Sequence, residues 1–297
     1  MTTVDLHIHS HYSNDGEFSP QMLVDLCLQA GLTHAAIADH NSVKAIGEAI
    51  AASEGTPLTV VPAIELDCVF DGVNLHLLGY GIDHTAHVFD TIEDHIHQQE
   101  QNNAAVLMRL VRQLGIEFDD DVIAGLAYDG VVTGEMIAEA ALIYDRAAEN
   151  PLLDPYRGDG IRSDNPFVNF YWDYCSQGKP AHTPMNFMHL SQAIGIIHDN
   201  QGVPILAHPG INLKEDAALL EEILAEGIQG IEVYSSYHNH QQVLFYREAA
   251  LANHILMTCG SDFHGKTKKS ITIGGINCED DDRRMLAELL RAIMKMG

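Results

Sequence analysis

The sequence predicts an α/β fold, a barrel or open sheet of parallel strands with its site on the rim at their carboxyl ends. Three observations predict it. Short apolar strands alternate with helices along much of the 297 residues. Histidines and carboxylates recur where those strands end. An apolar content of 46% is enough for one large core with a smaller appendage.

The first strand is Val4-Asp5-Leu6-His7-Ile8-His9, whose apolar and polar residues alternate. Histidines at i and i+2 on a strand share a face, so His7 and His9 can converge on one metal ion. Asp15 follows in a Gly-containing loop, within reach of the same place. Ser19-Pro20 opens a helix that stops at Gly31. His34 to Ala38 is a short buried strand ending in Asp39-His40-Asn41, and a second helix runs from about Val43 to Ser53. Leu58 to Ile64 reads as a strand ending in Glu65-Leu66, and Val73 to Leu78 as another carrying His76. The rhythm resumes with Val203 to Ala207 running into His208-Pro209-Gly210, then Ile228 to Val233 bearing Glu232. Ile255 to Thr258 leads to Ser261-Asp262-Phe263-His264. Helices near 215–225 and 241–252 separate these strands. Such alternation implies parallel pairing with right-handed crossovers.

Composition narrows the chemistry. A net charge of −26 argues against a nucleic-acid polymer as partner, because that contact needs a basic surface. Eighteen histidines and only five scattered cysteines give nitrogen and oxygen ligands suited to divalent ions. The cysteines lack C-x-x-C spacing and fit free thiols in a reducing cytoplasm. No signal peptide or membrane span is expected, since no apolar run approaches the roughly 20 residues a bilayer requires. His7, His9, Asp39, His40, Glu65, His208, Asp262 and His264 on one rim therefore predict a metal site, with Glu65 as the bridging carboxylate. Mn, Zn or Fe suits such a donor set.

The segments Asp5-Leu6-His7-Ile8-His9-Ser10, Ala38-Asp39-His40-Asn41, Pro62-Ala63-Ile64-Glu65, His76-Leu77-Leu78-Gly79, Ala207-His208-Pro209-Gly210 and Gly260-Ser261-Asp262-Phe263-His264 resemble, in order, the motif series of the PHP (polymerase and histidinol phosphatase) family. The resemblance implies a distorted seven-stranded (β/α) barrel and a two- or three-metal phosphoesterase. Carried over by motif, His7, His9, Glu65 and Asp262 hold one ion, and Glu65, His76 and His208 a second. Asp15, His40 and His264 line a third position, holding a metal or acting on substrate as acid. A hydroxide held between two ions is expected to attack phosphorus.

Between residues 85 and 180 the strand rhythm stops. Val88 to Gly115 reads as a long helix, 119–127 and 134–148 as further helices, and 150–166 as a Gly/Pro/Asp-rich loop. We read 85–180 as a helical insertion capping a barrel formed by 1–84 and 181–297, as in capped small-molecule members of the family. Gly178-Lys179-Pro180 resembles a segment near the phosphate in those relatives, which makes Lys179 the expected phosphate clamp. His238, after the strand bearing Glu232, is expected to face substrate. One departure stands out. Relatives acting on nucleotides or bisphosphates often carry an Arg and a His where this chain has Val132-Thr133-Gly134-Glu135-Met136-Ile137. A second anionic group would then fall to Arg157, Arg162 or Arg247, or there is none. Phe167, Phe170, Tyr171, Trp172 and Tyr174 either stack on a base or sugar or pack the cap onto the barrel.

The expected function is hydrolysis of a small phosphorylated metabolite: a nucleotide, a sugar phosphate, or a cyclic phosphodiester such as a ribose cyclic phosphate. Histidinol-phosphate phosphatase and a non-catalytic metal-binding module are the alternatives. The sequence leaves the oligomeric state open.

Overall fold

The computed structural model describes residues 2–276, 278 and 282–297. Its elements run β1 (Val4–Ile8), α1 (Pro20–Gln29), β2 (His34–Ile37), α2 (Lys44–Ser53), β3 (Thr59–Val60), β4 (Ala63–Phe70), β5 (Val73–Tyr80), α3 (Val88–Gln113), α4 (Asp120–Leu126) and α5 (Gly134–Tyr144). Then come α6 (Pro166–Phe170), a π turn (Tyr171–Cys175), β6 (Met188–His189), α7 (Leu190–Asp199), β7 (Val203–Leu206), α8 (Pro209–Asn212) and α9 (Ala217–Ala225). The last are β8 (Gly230–Ser235), α10 (His240–Ala252), β9 (Leu256–Gly260) and α11 (Asp282–Met296).

Local chemistry sets the helix limits. The Ser19 side chain accepts a hydrogen bond from the Met22 N–H, and Pro20 occupies the first turn of α1, where its missing N–H has no cost. Gly31, at φ +75°, turns the chain out of that helix. Asn239 and Gln242 form a reciprocal capping box at the start of α10.

The strands fall into a three-stranded parallel sheet, β1-β2-β3, and a six-stranded sheet in the order β6-β4-β5-β7-β8-β9. The two sheets are linked at both margins. Ile8 pairs with Phe263 just beyond β9, and His40 with Glu65 of β4. The described residues thus hold nine strands, two of them of two residues, in two linked sheets. The wholly parallel pairing expected from the sequence is corrected. β5 runs antiparallel to both β4 and β7. The cause is the two-residue turn Asp71-Gly72, whose φ angles of +46° and +76° fold β4 straight back into β5. A second correction concerns Glu65, which lies inside β4 rather than at a strand end. Pro62 has no N–H to give a ladder and separates β3 from β4.

Three apolar clusters hold these layers. The largest joins Leu6, Ile64, Leu66, Leu77, Tyr80, Ile205 and Ile231. A smaller one packs Ile8 and Ile37 against Leu23, Val24 and Ala45, seating α1 and α2 on the small sheet. The third, with Leu107, Val111, Ile116, Phe118, Ile137 and Phe170, draws only on residues 107–181. Yet Phe89, Ile92 and Ile96 of α3 belong to the largest cluster. One helix of 26 residues, about 39 Å long, therefore spans two cores. No helix among the described residues is long and apolar enough to cross a membrane, and none of the five cysteines forms a disulfide among the described residues.

Candidate metal centre

His7 and His9 leave β1 on one face, and Asp5 two residues earlier fixes where they point. Its buried carboxylate accepts hydrogen bonds from the N–H groups of Ser261 and Gly274, both at 2.8 Å. The strand carrying the histidines is thereby tied to the loop carrying Asp262. His7 Nε2 lies 3.2 Å from Glu65 Oε2 and 3.4 Å from Asp262 Oδ1. His9 Nε2 lies 3.2 and 3.0 Å from the same two oxygens. These four atoms are buried and have no hydrogen-bond partner. Each such orphan costs about 1–3 kcal/mol, and a single cation among them removes the cost. Two imidazoles and two carboxylates, buried and convergent, fit a divalent transition metal.

Glu65 also faces a second group. Its Oε1 is 3.0 Å from both His76 Nδ1 and His208 Nε2. A third group collects donor atoms of His9, Asp15, His40 and His264 within 4.8 Å of one another, with His264 Nε2 3.2 Å from Asp15 Oδ2. A fourth combines His40 and His76 with Asp67. Asp67 goes unnoticed in the sequence, although its signal is there. Glu65-Leu66-Asp67 repeats the alternation of His7 and His9, which puts both carboxylates on one strand face.

A frame of hydrogen bonds orients these donors. Glu232, fully buried, places Oε1 3.0 Å from His7 Nδ1 and accepts the His208 N–H at 2.9 Å. A Cβ on Gly260 would meet both His7 Cβ and Glu232 Oε1, so only glycine lets β9 approach this closely. Asp39 does not face the donors. It accepts from Ser10 and Ser13, and the Ser13 hydroxyl in turn lies 2.9 Å from His9 Nδ1. Asn41 and Asp67 exchange two hydrogen bonds. His264 Nδ1 donates to the Asp262 carbonyl at 2.9 Å, which leaves Nε2 as the lone-pair nitrogen of the neutral ring. His208 (φ +22°) and Asp262 (φ +57°) occupy backbone conformations unusual for such residues, the kind of local strain that collects at functional sites.

Burial opposes charge on every member of the cluster, and the neighbours decide the outcome. It pushes Glu65 up, but His7, His40 and His76 hold that carboxylate well below its ordinary range. Asp262 is likewise held well below by Lys268, His264 and His7 against its burial. Burial, reinforced by His264, brings His9 down to about 4. His40 rises to about 10, because Glu65 and Asp67 outweigh its burial.

Lys268 is a second residue the sequence does not reveal, since Gly265-Lys266-Thr267-Lys268-Lys269 reads as a solvated basic loop. It is only 6% exposed. Its Nζ lies 2.7 Å from Asp262 Oδ2 and 3.4 Å from His264 Nε2, above the Tyr237 ring. Tyr237 donates its hydroxyl to the same Asp262 oxygen at 2.6 Å. The 85–180 segment reaches this neighbourhood too. Glu100 accepts from the Asn14 amide at 2.7 Å, and Trp172 meets the Tyr237 ring edge to face at 5.6 Å.

Two expectations fare differently. Lys179 is exposed in the turn after Cys175, and among the described residues its ammonium makes no hydrogen bond or ion pair. His238, expected at the substrate, has both ring nitrogens taken by backbone. Nδ1 donates to the Val233 carbonyl (2.9 Å), and Nε2 accepts the Gly210 N–H (3.0 Å). It braces the His208-Pro209-Gly210 turn. Arg157 and Arg162 are bonded to Asp145 and Asp173. Of the aromatic group, Phe167, Phe170, Tyr171 and Tyr174 pack into the 107–181 core.

Known proteins are similar to this chain along most of its length. The 3',5'-nucleoside bisphosphate phosphatase of Chromobacterium violaceum is 25% identical over 98% of this chain and 99% of its own length. The 5'-3' exoribonuclease Rnm of Salmonella typhimurium is 26% identical over 88% of this chain and 84% of its own. The phosphoribosyl 1,2-cyclic phosphate 1,2-diphosphodiesterase of Eggerthella lenta is 25% identical over 88% and 94%. A Chromobacterium violaceum structure described as an amidohydrolase with bound sulfate and no metal superposes with TM-score 0.79 at 22% identity, covering 98% of each chain. A Bifidobacterium adolescentis structure described as a metal-dependent phosphoesterase gives 0.75 at 25% identity, covering 97% of this chain and 96% of its own. The family model described as PHP domain matches residues 5–144, from Asp5 through Glu65 and His76 to the end of α5. The strands that carry the first half of the donor cluster lie within that match, so residues 5–144 are similar to a PHP domain.

Proposed function

We propose that the protein is a metal-dependent phosphoesterase that hydrolyses a small phosphorylated metabolite, a nucleotide or sugar phosphate or a cyclic phosphodiester. The observation that carries this reading is the set of buried, unpartnered and convergent atoms His7 Nε2, His9 Nε2, Glu65 Oε2 and Asp262 Oδ1. Relatives named as a bisphosphate phosphatase and a cyclic phosphate diphosphodiesterase support it.

In this reading His7, His9, Glu65 and Asp262 hold one ion, and Glu65, His76 and His208 a second. Asp15, His40 and His264 border a third position. When bound, divalent ions supply Lewis acidity toward phosphoryl oxygens and bring the pKa of water toward neutrality. The chain's own residues do the rest. Glu232 fixes His7 in the tautomer that leaves Nε2 inward. The group formed by Asp15, His40 and His264 supplies the proton that passes to the leaving alkoxide. Residues 85–180 cover the cluster as a cap, with Asn14–Glu100 and Trp172–Tyr237 as its contacts, and shield the site from bulk water.

The name of the Rnm relatives keeps RNA as the second reading. The net charge of −26 favours the small substrate. Assays of Mn²⁺-loaded protein on nucleoside monophosphates, sugar phosphates, a five-membered cyclic phosphate and a 5'-phosphorylated RNA oligomer separate the two. Small esters should be cleaved far faster than the oligomer. Rapid stepwise shortening of the RNA would overturn the small-substrate reading, and inertness toward every ester would overturn the phosphoesterase itself.

A further inference from the structure

The charges gathered around the donor cluster are unevenly distributed. Lys268 is the one lysine or arginine among the buried residues described. An ammonium has three donors. The Asp262 oxygen at 2.7 Å takes one, and the lone pair of His264 Nε2, at 3.4 Å, engages a second only weakly. At least one N–H therefore has no acceptor among the described residues. The Asp262 oxygen is shared with the Tyr237 hydroxyl, and the Tyr237 ring lies under the ammonium at 5.3 Å. Lys268 is thus a fixed cation with a donor to spare, beside the residues that border the third ion position.

The 85–180 segment brings the opposite charge. Glu135, in the first turn of α5, is buried, and Glu139 one turn further along that helix pairs with Lys266 at 2.6 Å, which sets α5 against the loop that carries Lys268. Glu100, half-buried on α3 and bonded to Asn14, is raised to about 7 by burial and by Asp67. The arginines of the same segment that might have served an anion, Arg157 and Arg162, are committed to Asp145 and Asp173.

We propose that Lys268 receives the substrate phosphate, and that Glu135 and Glu100 restrict the substrate to one phosphate group on a hydroxyl- or amine-bearing remainder. The proposal rests on the phosphoesterase reading and narrows its substrate class. Carboxylates next to a second phosphate repel it, whereas they accept hydrogen bonds from sugar hydroxyls or an amine. This chain would then differ in selectivity from its relative named for a nucleoside bisphosphate.

Two measurements on Mn²⁺-loaded protein test it. Calorimetric binding of inorganic phosphate should weaken about tenfold or more in Lys268→Met, the scale of one lost charge-assisted hydrogen bond. Lys268→Arg should recover part of the loss, with metal content by mass spectrometry unchanged in both. Unaltered phosphate binding in both variants overturns the role of Lys268. Separately, kcat/KM for adenosine 5'-monophosphate should exceed that for adenosine 3',5'-bisphosphate by about tenfold or more, and Glu135→Gln should narrow the gap. A wild-type preference for the bisphosphate, or an unchanged ratio in Glu135→Gln, overturns the restriction. If Lys268→Met fails to fold by circular dichroism, Lys268→Arg and the Glu135 arm still decide. If the wild type cleaves no phosphate ester, the phosphoesterase reading falls, while the phosphate-binding measurement still reports on Lys268.

Discussion

Glu232 stands behind His7, with its Oε1 3.0 Å from the imidazole Nδ1. That contact sets both the ring's orientation and its tautomer, leaving Nε2 for the side where Glu65 and Asp262 converge. The other oxygen of Glu232 holds the His208 N–H, so one carboxylate positions members of two donor groups.

Replacing Glu232 with Gln should weaken Mn²⁺ binding or turnover about 10- to 100-fold. Titration of the chelated protein with Mn²⁺, read beside the steady-state rate, checks this. Wild-type values in both would reduce Glu232 to a packing residue.

Glu65 is shared by two donor groups and contacted by His7, His9, His40, His76 and His208. Protein purified without chelator should carry at least about two transition-metal equivalents. Glu65→Gln should lose metal and activity together. Full occupancy in that variant would remove its bridging role.

At Gly260 the constraint is steric. A methyl group there collides with His7 and Glu232, so Gly260→Ala should destabilise the protein by about 1–3 kcal/mol and lower its metal content. An unchanged thermal midpoint would show that the strands yield without cost.

The pH dependence of metal-free stability gives a fourth test. The Glu100 carboxyl is raised from 4.5 to about 7, first by burial and then by Asp67. The folded state therefore binds this proton more tightly than the unfolded one. Its contribution to stability is complete below about pH 4.5 and is lost as pH rises through 7. In EDTA-treated protein Glu100→Gln should thus gain on the wild type between pH 5 and pH 8, by an amount on the order of 2 kcal/mol given its partial exposure. Parallel unfolding curves across that range would refute the assignment.

Much of the cluster is legible in the sequence because its signals are local. The two-residue period of a strand puts His7 beside His9, and strand ends place His40, His208, Asp262 and His264 without knowledge of the whole. What is not legible depends on distant neighbours. Glu232 becomes a partner of His7 only when β8 lies beside β9, 225 residues along the chain from that histidine. Lys268 looks solvated until the loop after β9 tucks it against Asp262. His238 resembles a substrate contact until Gly210 and Val233 claim its ring. The direction of β5 was within reach, since Asp71-Gly72 is a hairpin signal, but the strand–helix rhythm on either side masks it. Helices α7 and α11 escaped for want of a flanking motif, though both bury an apolar face.

The pairing of Ile8 with Phe263 has a bearing on how the protein is made. His7 and His9 leave the ribosome before Asp262 and His264, which follow about 250 residues later. Contacts of such long range form late and slowly. During that interval the early histidines are separated from the carboxylate that completes their set. Binding of a metal by His7, His9, Glu65 and Asp262 would therefore be a closing event of biogenesis, and an interrupted nascent chain that has not reached Asp262 should show little of the mature protein's affinity for the ion.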